Sequence, residues 1–411
     1  MQSSFQKPRV VILGGGFGGL TAAKELAKSA KVTVIDRHNF QTFLPLLYQV
    51  ASAGLAADHV AHPIRGVLRK SGVQFRMGSP ISVDHKNKMV KLDSSEVLEF
   101  DHLIVALGSA TTDFGIKGVN EHALGMKSVY EAITIRAAVM RRFEDLCRFD
   151  DETILSIAIV GGGPTGVEMA GAFAELVRGP LKNDQSHAAA HIDIYLIEAG
   201  PRILPSFSPT LSARAQRDLE KLGVEILTNT SVKEVKSSAI ETKSGEIIPA
   251  EVTIWAAGVM GEPAAAKLNL PIINSRIAVD ASLQVTNYKN IWAIGDICGY
   301  KDKNDRFLPM VAPVALQQGR FIAAQINRLI AGEALRPFKY RDKGSMATIG
   351  RHKAIVEVGK FKVVGIPAWL AWLFLHIFYL LGGRNKIGTM AEWTWNYLTF
   401  DRGNRHIMDS M

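Results

Sequence analysis

The sequence predicts an α/β protein with two Rossmann-type dinucleotide-binding domains and a C-terminal region of amphipathic and apolar helices that anchors it to a membrane. Three observations predict this fold. A short apolar strand runs into a glycine-rich loop and a helix near the N-terminus, and the pattern recurs 147 residues later. Each copy is followed by a strand that ends at a carboxylate. The third observation is a basic, tryptophan-rich segment near the C-terminal end.

The first glycine loop follows the apolar residues 10–13 and places Gly14, Gly16 and Gly19 at the spacing that opens a dinucleotide-binding helix. The first glycine permits a tight turn, the second lets a pyrophosphate approach bare backbone, and the third lets the helix lie close to the strand. The next strand stops at Asp36, where a carboxylate accepts hydrogen bonds from a ribose diol. The glycine spacing alone also occurs in ordinary turns, and the order of all these features is what predicts a nucleotide site.

The second glycine loop carries Gly161, Gly163 and Gly166, and Glu198 ends the following strand. Glu198 lies 32 residues after Gly166, where about 20 is usual, and we interpret the polar residues 178–191 as a surface insertion. Two copies of the pattern predict two different dinucleotides, because one ligand needs only one such domain. A carboxylate at position 198 favours a nucleotide with a free 2′-hydroxyl over one with a 2′-phosphate.

Glycines or acids end three further predicted strands. Gly108 and Gly258 follow apolar strands at equivalent places in the two copies, and Gly295 with Asp296 closes a third strand. Asp296 is either an ordinary turn residue or an acceptor for the sugar-alcohol chain of a flavin. The helix that follows has Pro313 in its first turn, a position that suits proline. The other predicted strands are 73–76, 81–84, 89–92, 97–100, 102–106, 224–227, 232–235, 247–249 and 252–256.

Charge is concentrated at the C-terminal end. The 411 residues carry 48 Lys and Arg against 39 Asp and Glu, a formal charge of +9. From Arg336 onward there are twelve basic residues against five acidic ones, together with four of the six tryptophans. Basic and aromatic residues in one segment favour a lipid headgroup surface over a phosphate backbone, so no nucleic-acid partner is expected. The length predicts two or three domains.

The two cysteines, Cys147 and Cys298, lie far apart and form no C-x-x-C. A disulfide scaffold, a dithiol redox centre and a zinc site are therefore unsupported, and a reducing compartment is expected. Cys147 is expected to be a small buried residue in a helix at 131–149. The histidines show no metal-ligand spacing, so no metal is predicted. The first apolar run lacks the flanks of an export signal and is interpreted as a strand.

The segment 361–381 contains 19 consecutive residues without a formal charge. Gly365 and Pro367 leave only 368–381 as helix, about 21 Å long against a hydrocarbon core of about 30 Å. A second helix at 387–398 carries one stripe, formed by Ile387, Met390, Trp393 or Thr394, and Tyr397. Such helices favour a monotopic membrane anchor. A membrane span, core packing and a contact in a homodimer stay open as alternatives.

Together these motifs resemble those of the type II NADH dehydrogenases, the single-subunit, non-pumping NADH:quinone oxidoreductases of the two-dinucleotide-binding flavoprotein superfamily. The resemblance covers nearly the whole chain and rests on GGGFGGL, FLPLLYQVASAG, GGGPTGVE, AAGV, IWAIGD, ALQQG and WNYLTFDRGNRHI. It implies that hydride passes from NADH to non-covalently bound FAD, and that a membrane quinone is then reduced by two electrons. It also implies a location on the cytoplasmic face of the cell membrane.

The resemblance implies a set of site residues. Those implied for FAD are Gly14, Gly15, Gly16, Phe17, Gly18, Gly19, Asp36, Arg37, Leu46, Ala106, Gly108, Gly295, Asp296 and Ala315. Those implied for NADH are Gly161, Gly163, Pro164, Thr165, Gly166, Glu198, Ala257 and Gly258. Glu168 and Gln317 would be the catalytic residues near the flavin ring and the quinone, with Glu168 positioning nicotinamide or supplying a proton. Arg384 and Lys386 would guide the quinone head group.

One position departs from the family pattern. The family often has A-Q-x-A-x-Q before the glycine, and here Pro313 replaces the first glutamine. Proline has no side-chain donor, so the hydrogen bond to a quinone carbonyl is expected from Gln317.

We expect an FAD-binding domain at 1–115 and 276–340, an NADH-binding domain at 116–275, and a membrane-association and quinone-access region at 341–411. Two other functions stay open. One is another flavoprotein pyridine-nucleotide reductase, and the other is a membrane-associated NADH/FAD redox sensor with little turnover. A disulfide reductase and a sulfide:quinone oxidoreductase are disfavoured because paired cysteines are missing.

Overall fold

The computed structural model describes residues 7–148 and 153–408, and the chain divides into two compact units. Unit 1 comprises residues 1–41, 62–110 and 259–343, and unit 2 comprises 42–61, 111–258 and 344–411. The predicted boundaries at 115, 275 and 340 lie 5, 17 and 3 residues from the junctions after residues 110, 258 and 343. Two features differ from the predicted division, because residues 42–61 belong to unit 2 and residues 344–411 join that unit instead of standing alone.

Unit 1 is built on a five-stranded parallel sheet. Its strand order is Ile291–Ala293, His102–Val105, Arg9–Leu13, Lys31–Asp36 and Gln74–Met77. In the central strand, Val10 pairs with Val32 on one side and His102 on the other, and Val10 has no exposed surface. A parallel strand buried on both faces reads as a continuous apolar run, which explains the sequence at this point. The carboxyl ends of these strands meet at one edge of the sheet.

Two helices pack together on this sheet. Phe17–Leu26 begins in the first glycine loop, and Ala312–Ile330 lies against it. The contact is close, because a Cβ on Gly319 would lie 2.5 Å from the carbonyl oxygen of Gly18. The other elements of unit 1 are the antiparallel strands Pro80–Asp84, Met89–Leu92 and Val97–Glu99, the strands Val259–Gly261, Ile272–Ile273 and Arg276–Ile277, and the short helices Ile64–Val67, Pro263–Leu268 and Gly295–Ile297. The strands Phe40–Thr42, Ala61–Pro63 and Ser109–Thr111 lie where the chain passes from one unit to the other.

Unit 2 repeats the parallel sheet. Its strand order is Ala123–Leu124, Val252–Trp255, Leu155–Val160, Ile192–Ile197 and Val224–Leu227. Two antiparallel sheets accompany it, one of Val232–Val235, Ala239–Thr242 and Ile247–Pro249, the other of Ser345–Gly350, Lys353–Val358 and Phe361–Val364. The sequence reasoning missed strand Ala239–Thr242, whose four residues are too few to show a period.

The helices of unit 2 surround these sheets. They are Leu44–Leu46, Leu47–Ala51, Ala57–Val60, Val119–His122, Val129–Arg148, Pro164–Leu176, Val177–Leu181, Lys182–Asp184, Ser186–Ala190, Pro209–Glu220, Ile366–Tyr379 and Gly383–Thr399. Residues 178–191, interpreted above as a surface insertion, instead continue Pro164–Leu176 through a π-helical turn at Val177–Leu181 and bury Leu181 and Ala188. Cys147 is partly exposed and not buried, and residue 149 of its predicted helix lies outside the described residues.

Helix Ile366–Tyr379 lies two residues before its predicted position, and helix Gly383–Thr399 begins four residues before its predicted start. The inward line of helix Gly383–Thr399 is Asn385, Thr389 and Trp393. Of the predicted stripe, Ile387, Met390 and Thr394 are exposed, whereas Trp393, the alternative to Thr394, is buried. The helix packs inward largely through polar side chains, which leaves apolar residues such as Leu398 exposed. In the part of the chain that the structure describes, no helix combines the length and apolarity needed to cross a membrane.

Candidate functional site

The first glycine loop has room for a ligand at one position only. A Cβ on Gly14, where φ is +113°, would lie 2.1 Å from the carbonyl oxygen of Ala106, and one on Gly19 would lie 1.9 Å from that of Gly14. No atom lies within 4 Å of the Cβ position at Gly16. The outer glycines therefore close the turn, while Gly16 leaves bare backbone at the start of helix Phe17–Leu26. This arrangement fits a pyrophosphate.

Asp36 holds this loop in place. Its Oδ2 accepts a hydrogen bond from the amide of Gly15 at 2.6 Å, and its Oδ1 accepts one from the amide of His38 at 2.8 Å. Each carboxylate oxygen retains a further lone pair for a ribose hydroxyl. Arg37 points elsewhere, with its guanidinium 3.6 Å from the carboxylate of Glu262.

A second polar group in unit 1 centres on Asp296. Ser109 donates from Oγ to Oδ2 of Asp296 at 2.6 Å, and the amide of Gly295 donates to Oε1 of Gln318 at 2.7 Å. Gln318 also donates to the sulfur of Cys298 at 3.6 Å. Burial raises the pKa of Cys298 to about 12, so this thiol stays protonated. The sequence reasoning missed Ser109 and Gln318, and the only signal for Gln318 was the paired glutamines.

The second glycine loop, in unit 2, has the same geometry. A Cβ on Gly161, where φ is +114°, would lie 2.7 Å from the amide nitrogen of Ala257, and the Cβ position at Gly163 is open. Glu198 accepts hydrogen bonds from the amides of Gly162 and Gly200, each at 2.7 Å. Two backbone amides thus take one lone pair from each oxygen, as at Asp36. The internal duplication predicted from the sequence extends to this hydrogen-bond pattern.

Among the hydrogen bonds of the described residues, Arg202 donates none to the carboxylate of Glu198. Its guanidinium donates to the backbone carbonyl oxygens of Leu204, Pro205 and Phe207, at 3.3, 2.8 and 2.8 Å. The side chain therefore braces the turn that follows Glu198, and the carboxylate keeps its negative charge for the ligand.

A cavity of about 320 Å³ in unit 2 contains Glu168 in its wall, and we name it the Glu168 cavity. Oε1 of Glu168 accepts hydrogen bonds from the amide of Thr348 and from Nε1 of Trp372, both at 3.3 Å. Burial raises the pKa of Glu168 to about 8, and these two bonds lower it only in part. Glu168 is thus a carboxyl group that holds a proton at neutral pH and can release it, the property of a general acid or base.

Aromatic residues form one side of the Glu168 cavity. Tyr48, Trp372 and Trp393 line it, and the imidazole of His376 stacks behind Trp372 with ring centroids 3.9 Å apart. Burial lowers the pKa of His376 to about 4, so the ring is neutral, and its Nδ1 bonds to the carbonyl oxygen of Trp372 at 2.7 Å. Flat apolar walls with few polar groups suit a flat apolar ligand.

Charged side chains form another part of the lining of the Glu168 cavity. Arg402 forms a buried ion pair with Glu175 at 3.1 Å and donates to the carbonyl oxygens of Ser52 and Ala172 at 2.8 and 2.9 Å. Arg351 stacks over the ring of Phe400 at 3.8 Å. Removing one partner of a buried ion pair leaves an uncompensated charge, so these contacts fix the C-terminal segment in the cavity wall.

The remaining predicted residues have more ordinary surroundings. Leu46 is fully buried in unit 2, whereas the other residues predicted for FAD lie in unit 1. The amide group of Gln317 is held by Arg341, because Nε2 donates one N–H to the carbonyl oxygen of Arg341 at 2.9 Å and Oε1 accepts from its amide at 3.0 Å, which leaves the second N–H of Nε2 for another acceptor. Arg384 is almost fully exposed, 3.7 Å from Asp58, and Lys386 donates to the carbonyl oxygen of Phe378 at 3.0 Å.

No cluster of three or more His, Cys, Asp or Glu side chains suited to a metal ion occurs among residues 7–148 and 153–408.

Known proteins resemble this chain over most of its length. The family described as pyridine nucleotide-disulphide oxidoreductase matches residues 8–319. A type II NADH:quinone oxidoreductase of Mycobacterium tuberculosis is 36% identical over 98% of this chain and 91% of its own length, and a second one from that organism is 35% identical over 98% and 90%. The chain belongs to the type II NADH:quinone oxidoreductases.

Solved structures agree on the fold of this type II NADH:quinone oxidoreductase. NDH2 from Plasmodium falciparum in complex with NADH superposes with a TM-score of 0.89, at 23% identity, over 98% of this chain and 100% of the other. The sulfide:quinone oxidoreductase of Aquifex aeolicus matches with a TM-score of 0.73, at 18% identity, over 95% of both chains. The fold is thus shared with an enzyme of a different electron donor, so the donor must be argued from the sites.

Proposed function

We propose that this enzyme oxidises NADH with non-covalently bound FAD and reduces a quinone held in a membrane, without moving protons across it. The observation that carries the proposal is the pair of complete glycine loops, each with its own carboxylate held by two backbone amides. A separate cavity with an aromatic wall and a titratable carboxyl group supports the third ligand.

Different groups of residues suit the two nucleotides and the proton transfer. Gly16 and Asp36, with Asp296, suit the pyrophosphate, ribose and sugar-alcohol chain of FAD, and Gly163 with Glu198 suits NADH. When bound, the flavin accepts a hydride from NADH and supplies two electrons to the quinone. Reduction of a quinone to a quinol also takes two protons, and Glu168, protonated at neutral pH, is the residue placed to deliver one.

We infer that the last two helices attach the enzyme to the membrane surface that holds the quinone. Their outward residues are large and apolar, with Phe374 72% and Leu398 77% exposed, and the basic side chain of Arg384 is 91% exposed beside them. We name this set, together with Phe361, Ile366, Leu370, Phe378, Ile387 and Trp395, the C-terminal apolar face. A patch of this kind marks a membrane or protein contact, and the adjacent basic groups favour a lipid surface. We propose the cytoplasmic face of the cell membrane.

Spectra and steady-state kinetics on the purified protein test the proposal. Flavin absorption bands, release of FAD by heat or acid, and quinone-dependent NADH oxidation are expected. Released FMN would contradict the role of the first glycine loop. Bound FAD without turnover would favour the redox sensor instead.

A further inference from the structure

A chain of three side chains runs from the last helix into the Glu168 cavity. Nε1 of Trp393 donates to Oε1 of Gln49 at 2.7 Å, and Nε2 of Gln49 donates to the hydroxyl oxygen of Tyr48 at 2.9 Å. All three residues are at least nine-tenths buried, and all three line the cavity. Tyr48 and Gln49 lie in the FLPLLYQVASAG motif but were not singled out from the sequence, and Trp393 was named only as a possible member of a helix stripe.

The direction of these bonds is fixed by chemistry. An indole N–H is a donor only, so the Gln49 atom facing Trp393 must be the carbonyl oxygen, and the amide nitrogen is then left to face Tyr48. The Tyr48 hydroxyl oxygen is consequently an acceptor toward Gln49, and its own proton must point elsewhere. Among the described residues, no acceptor for that proton is present.

The surroundings of Tyr48 keep it a donor. Burial raises the pKa of its hydroxyl well above the ordinary value, and Glu168, once it is ionised at high pH, raises that pKa further. A buried hydroxyl with an unused proton costs free energy unless something in the cavity accepts it. A quinone offers the cavity two carbonyl oxygens, which are acceptors only.

We infer that Tyr48 donates a hydrogen bond to a carbonyl oxygen of the quinone, and that Gln49 and Trp393 position its hydroxyl for that bond. This inference rests on the proposed function, because it takes the quinone as the ligand of the Glu168 cavity. Tyr48 would touch the substrate, whereas Gln49 and Trp393 would act through Tyr48. The Tyr48 hydroxyl is left as a donor, so the cavity favours a ligand with a carbonyl oxygen over an apolar ligand of the same area.

The test uses the flavin-loaded full-length enzyme and menadione, a soluble quinone. Isothermal titration calorimetry of the oxidised enzyme gives the Kd of menadione, and anaerobic stopped flow separates flavin reduction by NADH from reoxidation by menadione. Tyr48→Phe is expected to weaken menadione binding about 2- to 12-fold and to slow reoxidation by a similar factor, the range for one neutral hydrogen bond. Flavin reduction by NADH is expected to be unchanged. Tyr130→Phe, at an exposed tyrosine outside the cavity, is the matched control.

A double-mutant cycle tests the positioning role. Gln49→Met is expected to weaken menadione binding in the wild-type background and to have no further effect in the Tyr48→Phe background, because it acts only through the Tyr48 hydroxyl. Additive effects would overturn the role of Gln49. A menadione Kd for Tyr48→Phe within the error of the wild type would overturn the role of Tyr48. If Tyr48→Phe yields no flavin-loaded protein, an unchanged Kd in Gln49→Met alone overturns the inference. Wild-type enzyme that neither binds nor reduces any quinone would instead refute the proposed function.

Discussion

Nε1 of Trp372 donates a hydrogen bond to Oε1 of Glu168 over 3.3 Å. The indole itself is almost fully buried and stacks on the neutral ring of His376. An acid with a raised pKa is therefore held in place by a buried aromatic side chain.

The pKa of Glu168, about 8, predicts a pH limit on quinone reduction. The carboxyl group is protonated below this value, so the rate of flavin reoxidation should fall as the pH rises through about 8. Glu168→Gln should abolish this fall of the rate with pH. It should also lower the rate of flavin reoxidation at pH 7 by about 10²-fold, the lower end of the range for a general acid. A pH profile that is the same for both proteins would contradict the role.

The same shift predicts an effect on stability. The folded-state pKa is raised from 4.5 to about 8, so the folded protein binds more protons than the unfolded chain between these values, and stability contributed by Glu168 is lost as the pH rises across them. Thermal unfolding at pH 6 and pH 9 should show a smaller loss of Tm for Glu168→Gln than for the wild type.

Gly16→Ala and Gly163→Ala should impair the binding of different nucleotides, FAD in the first variant and NADH in the second. Both glycines have φ near −75°, at −79° and −73°, and both Cβ positions are open, so neither change should disturb the fold. Each methyl group would occupy the space of a pyrophosphate. Gly16→Ala should lose flavin. Gly163→Ala should keep its flavin and its Tm and raise the KM for NADH about tenfold or more. Loss of flavin in Gly163→Ala would show that the two loops are wrongly assigned.

Glu198→Gln should narrow the preference for NADH over NADPH. The substitution removes the charge that repels a 2′-phosphate, and it also replaces one acceptor of the amides of Gly162 and Gly200 by a donor. A hydrogen bond to a charged group contributes about 1.5–3 kcal/mol, so the KM for NADH should rise about 10- to 150-fold. The exposed Glu246→Gln is the control. Equal kcat/KM of the wild type for both donors would refute the role of Glu198.

Gln317→Leu distinguishes two roles of one side chain. The structure uses both ends of the Gln317 amide on the backbone of Arg341, so the substitution should lower the free energy of unfolding by about 1–3 kcal/mol. The second N–H of Nε2 can still donate to a quinone carbonyl while these contacts persist. Slower reoxidation at an unchanged Tm would support the quinone role, and slower flavin reduction would place Gln317 on the nicotinamide side.

Substitutions on the C-terminal apolar face should weaken membrane binding without affecting folding. Phe374→Glu and Leu398→Glu should leave Tm and flavin content unchanged, because both side chains are exposed. Each should weaken binding to phosphatidylglycerol vesicles about tenfold or more, since burial of a large apolar side chain contributes about 1.5–3 kcal/mol. Ile247→Glu, at an exposed isoleucine elsewhere in unit 2, is the control. Unchanged cosedimentation of all three variants would exclude this face from the contact.

The sequence predicted those parts of the site that depend on local geometry. Gly14 and Gly161 need a positive φ, and Asp36 and Glu198 lie directly after buried strands, so spacing alone places them. The walls of the Glu168 cavity are different. Tyr48 and Trp393 are 345 residues apart in the chain, as the numbering gives, and no periodic pattern connects them.

The inner side of helix Gly383–Thr399 could not be predicted from an apolar pattern. Asn385 is 7% exposed and donates to the carbonyl oxygens of Asp58, His59 and Ala61 at 3.0–3.1 Å. Glu392 accepts from His59 at 2.7 Å. A pattern that assigns apolar residues to the interior fails where the interior contacts are hydrogen bonds to an irregular segment, because those partners are set by tertiary structure.

The polar inner side of this helix reverses the usual rule for protein engineering. Replacing outward residues such as Ile387 and Leu398 by charged ones will raise the yield of dispersed protein, since no folded contact is lost. Replacing Asn385 by a hydrophobic residue of similar size, normally a mild change in a buried position, will leave three carbonyl oxygens without their donor. Variants selected only for expression are therefore expected to lose the C-terminal apolar face, which we propose for membrane contact.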